Sequence, residues 1–169
     1  MMETILLNQL AAINWQTTAR PNPVIASWLA ERQSMTQRLT GYCHQQLMVA
    51  PQVERFIDYA QLLLHEQQQL AVDERYWLRE VIMYGDGKPW LVGRTIVPQK
   101  TLINEAGLAT LGDTPLGRYL FSAPHFARDS IHYGQMQQLW ARYSCLRLAK
   151  NPLLLTELFL LDSPIYSTD

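Results

Sequence analysis

The chain has 169 residues and a formal net charge of −1, with 48% hydrophobic and 17% charged residues. This composition excludes a disordered or collagen-like chain and supplies apolar surface for one sizeable core, so a single domain over residues 1–169 is expected. A net charge near zero disfavours nucleic acid as a partner, because binding phosphates requires a basic surface. Of the 14 cations, 11 are arginines, the residue type best suited to paired hydrogen bonds with carboxylates.

The N-terminal segment has the features of neither a signal peptide nor a membrane span. Its uncharged run, residues 4–19, is rich in Asn, Gln and Thr, and no basic segment precedes it. Cys43 and Cys145 lie far apart, and neither they nor the histidines show the spacing of a zinc site or a disulfide framework. We therefore expect a cytoplasmic protein with no membrane insertion, no metal and two buried thiols.

Helical patterns dominate the first third of the chain. Apolar residues within residues 3–15 have the spacing of an amphipathic helix, and Asn22-Pro23 is a typical start for a second helix. Residues 41–70 are ambiguous, because residues 46–53 fit a strand whereas the apolar residues from Phe56 onward have helical spacing.

Two β-hairpins are predicted in the second half. Residues 76–84 and 90–98 are rich in aromatic and β-branched side chains and flank Asp86-Gly87, a strong hairpin turn signal. A second pair of runs, residues 145–149 and 153–161, flanks a Lys-Asn-Pro turn. Helices followed by hairpins, without βαβ alternation, favour an α+β fold in which helices cover an antiparallel sheet.

The first hairpin predicts a pair of arginines on one face. If the turn is centred on Asp86-Gly87, Arg79 lies directly opposite Arg94. Their neighbours on that face are apolar, and like charges placed opposite one another are destabilising. The pair could bind an anionic ligand, with a small dianion fitting best. It could instead be exposed to solvent, where it could also form a protein interface, or be paired with an acidic residue, although Glu80 is expected to point to the opposite face.

Glu157 is the second unusual charge, because it lies inside residues 153–161, the most apolar run of the chain. A buried carboxylate is costly unless it is paired. It could therefore be a partner for an arginine. It could equally face a substrate hydroxyl or an abstractable proton, where burial would raise its pKa.

A third feature is the helix start at Thr114-Pro115, which leaves the N–H groups of Leu116 and Gly117 without helical partners. Such an end can bind an anion, but most bind only water, so the feature has meaning only together with the arginines. Motifs of nucleotide-binding, serine-hydrolase and zinc-protease sites are absent from the sequence.

Several of these segments, in the same order and with similar spacing, resemble bacterial chorismate lyase. The resemblance is specific between residues 75 and 166, and looser through Trp28 and Ser34-Met35-Thr36 upstream. It rests on RYWLRE at residues 75–80, DGKPWL at 86–91, GRT at 93–95, TPLGRYLF at 114–121, PLLLTELF at 152–159 and SPIY at 163–166. Residues 40–73 depart from the family's pattern, and Arg55 stands where a small residue is expected, so the resemblance does not extend to the flap that closes over the ligand.

The resemblance implies a small α+β fold with a buried ligand pocket that converts chorismate into 4-hydroxybenzoate and pyruvate, without cofactor or metal, for ubiquinone biosynthesis. Arg79 is implied to grip the ring carboxylate, helped by the backbone N–H groups of Leu116 and Met35, and Glu157 to face the ring hydroxyl. Arg94 is implied to hold the enolpyruvyl carboxylate and to support catalysis together with Glu157. We also expect a monomer that retains its product tightly.

The alternative is a ligand-sensing domain without catalysis, since effector domains of some bacterial transcription regulators resemble this fold. Such domains follow a winged-helix DNA-binding segment. Only about twenty residues precede Pro21 here, which is too few for one, and the net charge disfavours DNA. The lyase is therefore the favoured interpretation.

Overall fold

A computed structural model describes residues 1–167, and within them six strands form one antiparallel sheet. The strands are β1 (Leu47–Ile57), β2 (Tyr76–Gly85), β3 (Lys88–Pro98), β4 (Phe126–Met136), β5 (Leu139–Leu148) and β6 (Asn151–Phe159). Their order across the sheet is β1-β2-β3-β6-β5-β4. The α+β class with an antiparallel sheet covered by helices is confirmed.

Short helices precede, interrupt and cover the sheet. They are α1 (Met2–Asn8), α2 (Pro23–Leu29), α3 (Met35–Thr40), α4 (Leu64–Gln69), α5 (Gln99–Asn104) and α6 (Leu116–Ser122). The predicted start of α2 is confirmed, since the Asn22 side chain accepts a hydrogen bond from the N–H of Ile25 at 2.9 Å. Within the described part of the chain, no helix is both long and apolar enough to cross a bilayer.

Both predicted hairpins form. At the first turn Asp86 and Gly87 have φ values of 51° and 80°, the left-handed conformation that a type I′ turn requires. The Asp86 carboxylate also accepts hydrogen bonds from the N–H groups of His44 and Gln45. In the ambiguous residues 41–70 the strand pattern is confirmed by β1, whereas the helical spacing from Phe56 onward does not form an α-helix: Phe56 lies in β1, and α4 begins only at Leu64.

Each face of the sheet carries its own core. On the face that we call the pocket face, α2 and α3 pack on Val81, Leu91 and Phe159, while α6 packs on a neighbouring cluster that includes Leu146 and Leu153. On the opposite, rear face, the N-terminal segment and the segment around α4 pack on a set that includes Ile82, Val92, Ile96, Leu154 and Leu158. The two clusters on the pocket face leave a space between them.

Candidate active site

That space is a cavity bounded by α3, α6 and the strands of the pocket face. Most of its wall is aliphatic, with Met35, Val49, Val81, Met83, Leu91, Leu116, Leu120 and Leu155. Gly93 lies in the floor, where the missing side chain leaves room for a ligand. Among the described residues that line the cavity, the charged side chains are Arg79, Arg128, Arg142 and Glu157. Three cations against one carboxylate favour an anionic ligand.

Arg79 on β2 is a buried cation held from one side. Its Nη1 donates to Oε1 of Glu54 at 2.8 Å and to the carbonyl of Gly112 at 2.8 Å, and its Nη2 donates to the carbonyl of Thr114 at 2.9 Å. Burial lowers the pKa of Arg79, and the Glu54 carboxylate opposes that shift. A guanidinium has five N–H donors. Nε–H and the second Nη2–H therefore have no acceptor within residues 1–167 and remain for a ligand.

Glu157 on β6 lies directly across from Arg142 on β5. Nε of Arg142 donates to Oε1 of Glu157 at 2.8 Å, and Nη1 of Arg142 donates to the carbonyls of Leu29 and Glu31 at 3.2 and 2.6 Å. Arg142 is fully buried and Glu157 is 4% exposed. The second oxygen of Glu157 accepts no hydrogen bond from the described residues, so it can receive one from a ligand in the cavity.

Met35 and Leu116 are the first residues of α3 and α6, and both line the cavity. The N–H groups in the first turn of a helix have no intrahelical acceptor. Helix α6 starts one residue later than predicted, with Pro115 rather than Thr114 in the N-cap position. The carbonyl of Thr114 instead binds Arg79, which ties that guanidinium to the start of α6.

The predicted pairing of Arg79 with Arg94 is wrong. Next to the turn the predicted register holds, since Tyr84 pairs with Pro89, but a bulge follows on β3 and shifts the register by one residue. Arg79 then pairs with Thr95, and Arg94 pairs with Glu80. Because side chains alternate between the faces of a strand, this shift sends Arg94 to the rear face.

On the rear face Arg94 is enclosed by two carboxylates. Nε and Nη2 bind both oxygens of Glu66 at 2.7 and 2.9 Å, and Nη1 binds Glu80 at 3.1 Å. Burial by itself would lower the pKa of Arg94. The hydrogen bonds that Arg94 makes to these two carboxylates, together with their negative charges, outweigh burial and raise its pKa. The catalytic role expected of Arg94 is therefore corrected to a structural one. The interface interpretation is also wrong, since Arg79 and Arg94 are only 3% and 7% exposed.

Comparison with known proteins places this chain in a family. A family model described as chorismate lyase matches residues 9–169. The chain belongs to the chorismate lyase family. A chorismate pyruvate-lyase of Pectobacterium atrosepticum is 54% identical over 94% of this chain and 90% of its own length. One of Yersinia enterocolitica is 47% identical over 98% and 99%, and a probable chorismate pyruvate-lyase of Bartonella henselae is 50% identical over 95% and 94%.

A solved structure is also similar, the C-terminal domain of a histidine utilization repressor from Pseudomonas syringae. It has a TM-score of 0.46 and 8% identity, and the match covers 68% of this chain and 90% of that one. A likeness of this size says nothing about what a chorismate lyase family member binds.

The segments that carry the chorismate lyase resemblance meet at the cavity. RYWLRE contributes Arg79, SMT contributes Met35, TPLGRYLF contributes Leu116 and LLLTELF contributes Glu157. GRT contributes Gly93 and Thr95 from the same side of β3, while its arginine points away. The structure thus brings Met35, Arg79, Leu116 and Glu157 together and leaves Arg94 out.

Three charged residues in or beside the cavity were not singled out from the sequence. Glu54 lies in the segment whose pattern was ambiguous, and Arg128 lies on β4, which was not predicted. Arg142 lies opposite Glu157 only because the turn is at Ala149-Lys150; the predicted Lys-Asn-Pro turn would have placed Cys145 opposite Glu157.

The rear face holds a second group of polar side chains, centred on His65. Its Nε2 lies 2.9 Å from Oγ1 of Thr156, and its ring packs against Trp15 and Tyr143 at centroid distances of 4.9 and 4.8 Å. Within residues 1–167, no group of three or more His, Cys, Asp or Glu is placed to hold a metal ion. The charged and titratable groups around His65 are Glu66, Arg94, His132 and Tyr143.

We expect His65 to make the folded state sensitive to mild acid. Burial lowers its pKa from 6.5 to about 4, with Glu66 opposing and Arg94 adding to the shift. Between these values the unfolded chain binds a proton that the folded chain does not, so stability falls as the pH falls. The loss from pH 7 to pH 5 is on the order of 2 kcal/mol. Urea unfolding of the wild type and of His65→Gln measures it.

The control for this prediction is His44→Gln, which removes an exposed histidine. His44→Gln should keep the wild-type dependence of unfolding free energy on pH, whereas His65→Gln should flatten it between pH 7 and pH 5. Equal slopes for His65→Gln and the wild type would contradict the prediction.

Proposed function

We propose that this protein is a chorismate lyase that eliminates pyruvate from chorismate and releases 4-hydroxybenzoate, the precursor of the ubiquinone head group. The observation that carries the proposal is the enclosed, mostly aliphatic cavity with unused donors of Arg79 on one side and an unused oxygen of Glu157 on the other. A flat ring with a carboxylate and a hydroxyl at opposite ends matches this arrangement. The names of the similar proteins give the same activity.

The spacing of the two groups supports this placement. Arg79 and Glu157 lie two strand spacings apart and are offset by two residues along the strands. That separates their Cα atoms by roughly 12 Å, from about 4.8 Å per strand and 3.3 Å per residue. Both side chains extend into the gap. The ring carboxylate binds Arg79 and the N–H groups of Met35 and Leu116, and the ring hydroxyl donates to Glu157.

The chemistry needs few groups, because aromatisation of the ring drives it. The C4–H bond of chorismate and the C3–O bond break together: the C4–H electron pair forms the C3–C4 double bond as the C3–O pair moves onto the ether oxygen. The released enolpyruvate takes up one proton at carbon, in place of the one lost from C4, and becomes pyruvate. A closed apolar cavity that holds the dianion in one orientation and keeps out water provides most of the catalysis. Tight enclosure also slows product release.

Glu157 orients the substrate through the ring hydroxyl in this proposal, since Arg142 fixes its other oxygen. We expect Glu157→Gln to weaken 4-hydroxybenzoate binding by about 1.5 to 3 kcal/mol, the value of a hydrogen bond to a charged group. The fall in kcat should stay below about 100-fold, the lower end of the range for loss of a general base. Titration calorimetry and steady-state kinetics measure the two effects.

The exposed Glu74→Gln serves as the control for Glu157→Gln and should change neither quantity. If Glu157→Gln instead leaves affinity unchanged and lowers kcat by 1,000-fold, the carboxylate takes the proton from C4 and does more than orient the ring.

The activity itself is tested with purified protein and chorismate, by following 4-hydroxybenzoate in the ultraviolet and pyruvate with lactate dehydrogenase. Equal amounts of both products, formed without added metal or cofactor, are expected. Binding of 4-hydroxybenzoate without turnover of chorismate would point to a ligand-sensing domain. No binding and no turnover would contradict the proposal altogether.

We further propose that the enzyme acts as a monomer in the cytoplasm. Residues of this chain alone complete the cavity, and Cys43 and Cys145, partly buried and not fully buried as expected, are both free thiols, as is usual in a reducing compartment. Light scattering of the purified protein should give the mass of one chain. A dimer mass at micromolar concentration would contradict the proposal that the enzyme is a monomer.

A further inference from the structure

Arg128 lies on β4, at the far side of the cavity from Arg79. Its Nη1 donates to Oγ of Ser144 at 2.5 Å. Its Nε is buried and has no hydrogen-bond partner within residues 1–167. Arg32 holds the backbone of this residue in place, because its Nη2 donates to the carbonyl of Arg128 at 2.7 Å. The guanidinium is therefore positioned in the cavity wall with donors to spare.

The charge of Arg128 also lacks a partner. Each of the three buried arginines described above has a carboxylate within 3.1 Å: Arg79 has Glu54, Arg94 has Glu66 and Glu80, and Arg142 has Glu157. Arg128 has no ion pair among the described residues. Burial and the charge of Arg142 lower its pKa to about 10, with Glu157 opposing, so it is still protonated at neutral pH. A partly buried cation of this kind gains most from an added anion.

The order of the groups across the sheet matches the two carboxylates of chorismate. Arg79 lies on β2, Glu157 on β6, and Arg128 two strands further on, on β4. Chorismate has its ring carboxylate at C1, its hydroxyl at C4 and the enolpyruvyl ether at C3, next to the hydroxyl. With the ring between Arg79 and Glu157, the ether side chain can extend past Glu157 toward β4.

We infer that Arg128 binds the enolpyruvyl carboxylate of chorismate, the role that the family resemblance implied for Arg94. This inference rests on the proposed function and adds a residue to it. Arg128 selects the dianionic substrate over the monoanionic product, since 4-hydroxybenzoate has no group at C3 to reach it. During the elimination the same guanidinium stays beside the leaving enolpyruvate and stabilises its growing negative charge.

The test compares two stable aromatic ligands. One is 4-hydroxybenzoate, and the other is 3-carboxymethoxy-4-hydroxybenzoate, which adds a carboxylate on an ether at the position of the enolpyruvyl group. Arg128→Gln should weaken binding of the dianion about 30-fold or more and binding of 4-hydroxybenzoate less than threefold. With chorismate, kcat/KM should fall by at least the same 30-fold.

Two further variants keep the test decisive. Arg128→Lys retains the charge and should recover part of the affinity for the dianion, which a purely structural role of Arg128 would not predict. Arg147→Gln removes an exposed arginine of β5 that pairs with Asp129, and it should leave the affinities for both ligands unchanged. Thermal melting of each variant checks that it is folded.

Equal weakening of both ligands by Arg128→Gln, or no weakening of either, would overturn the inference. The binding comparison needs no turnover, so it distinguishes this failure from failure of the proposed function. Wild-type protein that binds both ligands but does not convert chorismate would contradict only the lyase activity. The effect of Arg128→Gln on the affinities for the two ligands could still be compared.

Discussion

Replacing Arg79 with alanine is expected to remove most of the affinity for 4-hydroxybenzoate. Truncating one partner of a buried charge pair costs about 2 to 5 kcal/mol, which is roughly 30-fold to several thousand-fold in Kd. Arg79 fits this case because it is 3% exposed and fixed by Glu54, Gly112 and Thr114 before any ligand arrives. Binding therefore requires little reorganisation of the guanidinium. Titration calorimetry with 4-hydroxybenzoate measures the loss.

Arg75→Ala is the matched control, since Arg75 lies just before the same strand but is exposed and packs over Phe56. Its variant should bind 4-hydroxybenzoate as the wild type does. If Arg79→Ala also binds normally while its melting temperature stays within a few degrees of the wild type, the ring carboxylate does not lie at Arg79, and the proposed orientation of the ligand is wrong.

The parts of the fold that could be predicted are those specified by local sequence. Asp86-Gly87 forms the predicted turn because both residues tolerate positive φ, and Asn22 caps α2 through its own side chain. The hairpins follow from such turns between β-rich runs. Strand β4 was not predicted because its sequence, FARDSIHYGQM, contains many polar residues, as an edge strand exposed to solvent can.

The register of the first hairpin could not be read from its turn alone. The bulge on β3 lies where Trp90 packs across Gly85, and a Cβ atom on Gly85 would collide with the Trp90 ring. Trp90 belongs to the core with α2 and α3, so its placement depends on residues far away in the chain. A local pattern does not contain that information, and the one-residue error it produced placed Arg94 on the wrong face.

The charged residues within sequence motifs of the candidate site could be predicted, whereas the residues that pair with them could not. Arg79 and Glu157 were found as charges among apolar residues, and both line the cavity. Their partners Glu54 and Arg142 come from strands that pair with theirs. Finding Glu54 requires knowing that β1 pairs with β2, and finding Arg142 requires the exact turn of the second hairpin; the motifs themselves specify neither.

Replacing Arg94 is expected to have the second large effect, which is on the stability of the fold and not on ligand binding. We expect Arg94→Met to lower the free energy of unfolding by about 3 to 5 kcal/mol, because it leaves Glu66 ionised and buried with no cation beside it. Urea unfolding at pH 7 measures the change. The double variant Arg94→Met with Glu66→Met should recover much of the loss, since an apolar pair of similar size often replaces a buried ion pair without cost.

The same variant separates the structural role of Arg94 from the catalytic role first expected of it. At a temperature where Arg94→Met is folded, kcat/KM for chorismate should stay within about threefold of the wild type, because the guanidinium lies on the rear face and lines no part of the cavity. A variant of unchanged stability with turnover reduced 100-fold or more would restore Arg94 to the catalytic site. In that case the sheet would have to open or shift its register during the reaction, because Arg94 and Glu157 project from opposite faces of adjacent strands.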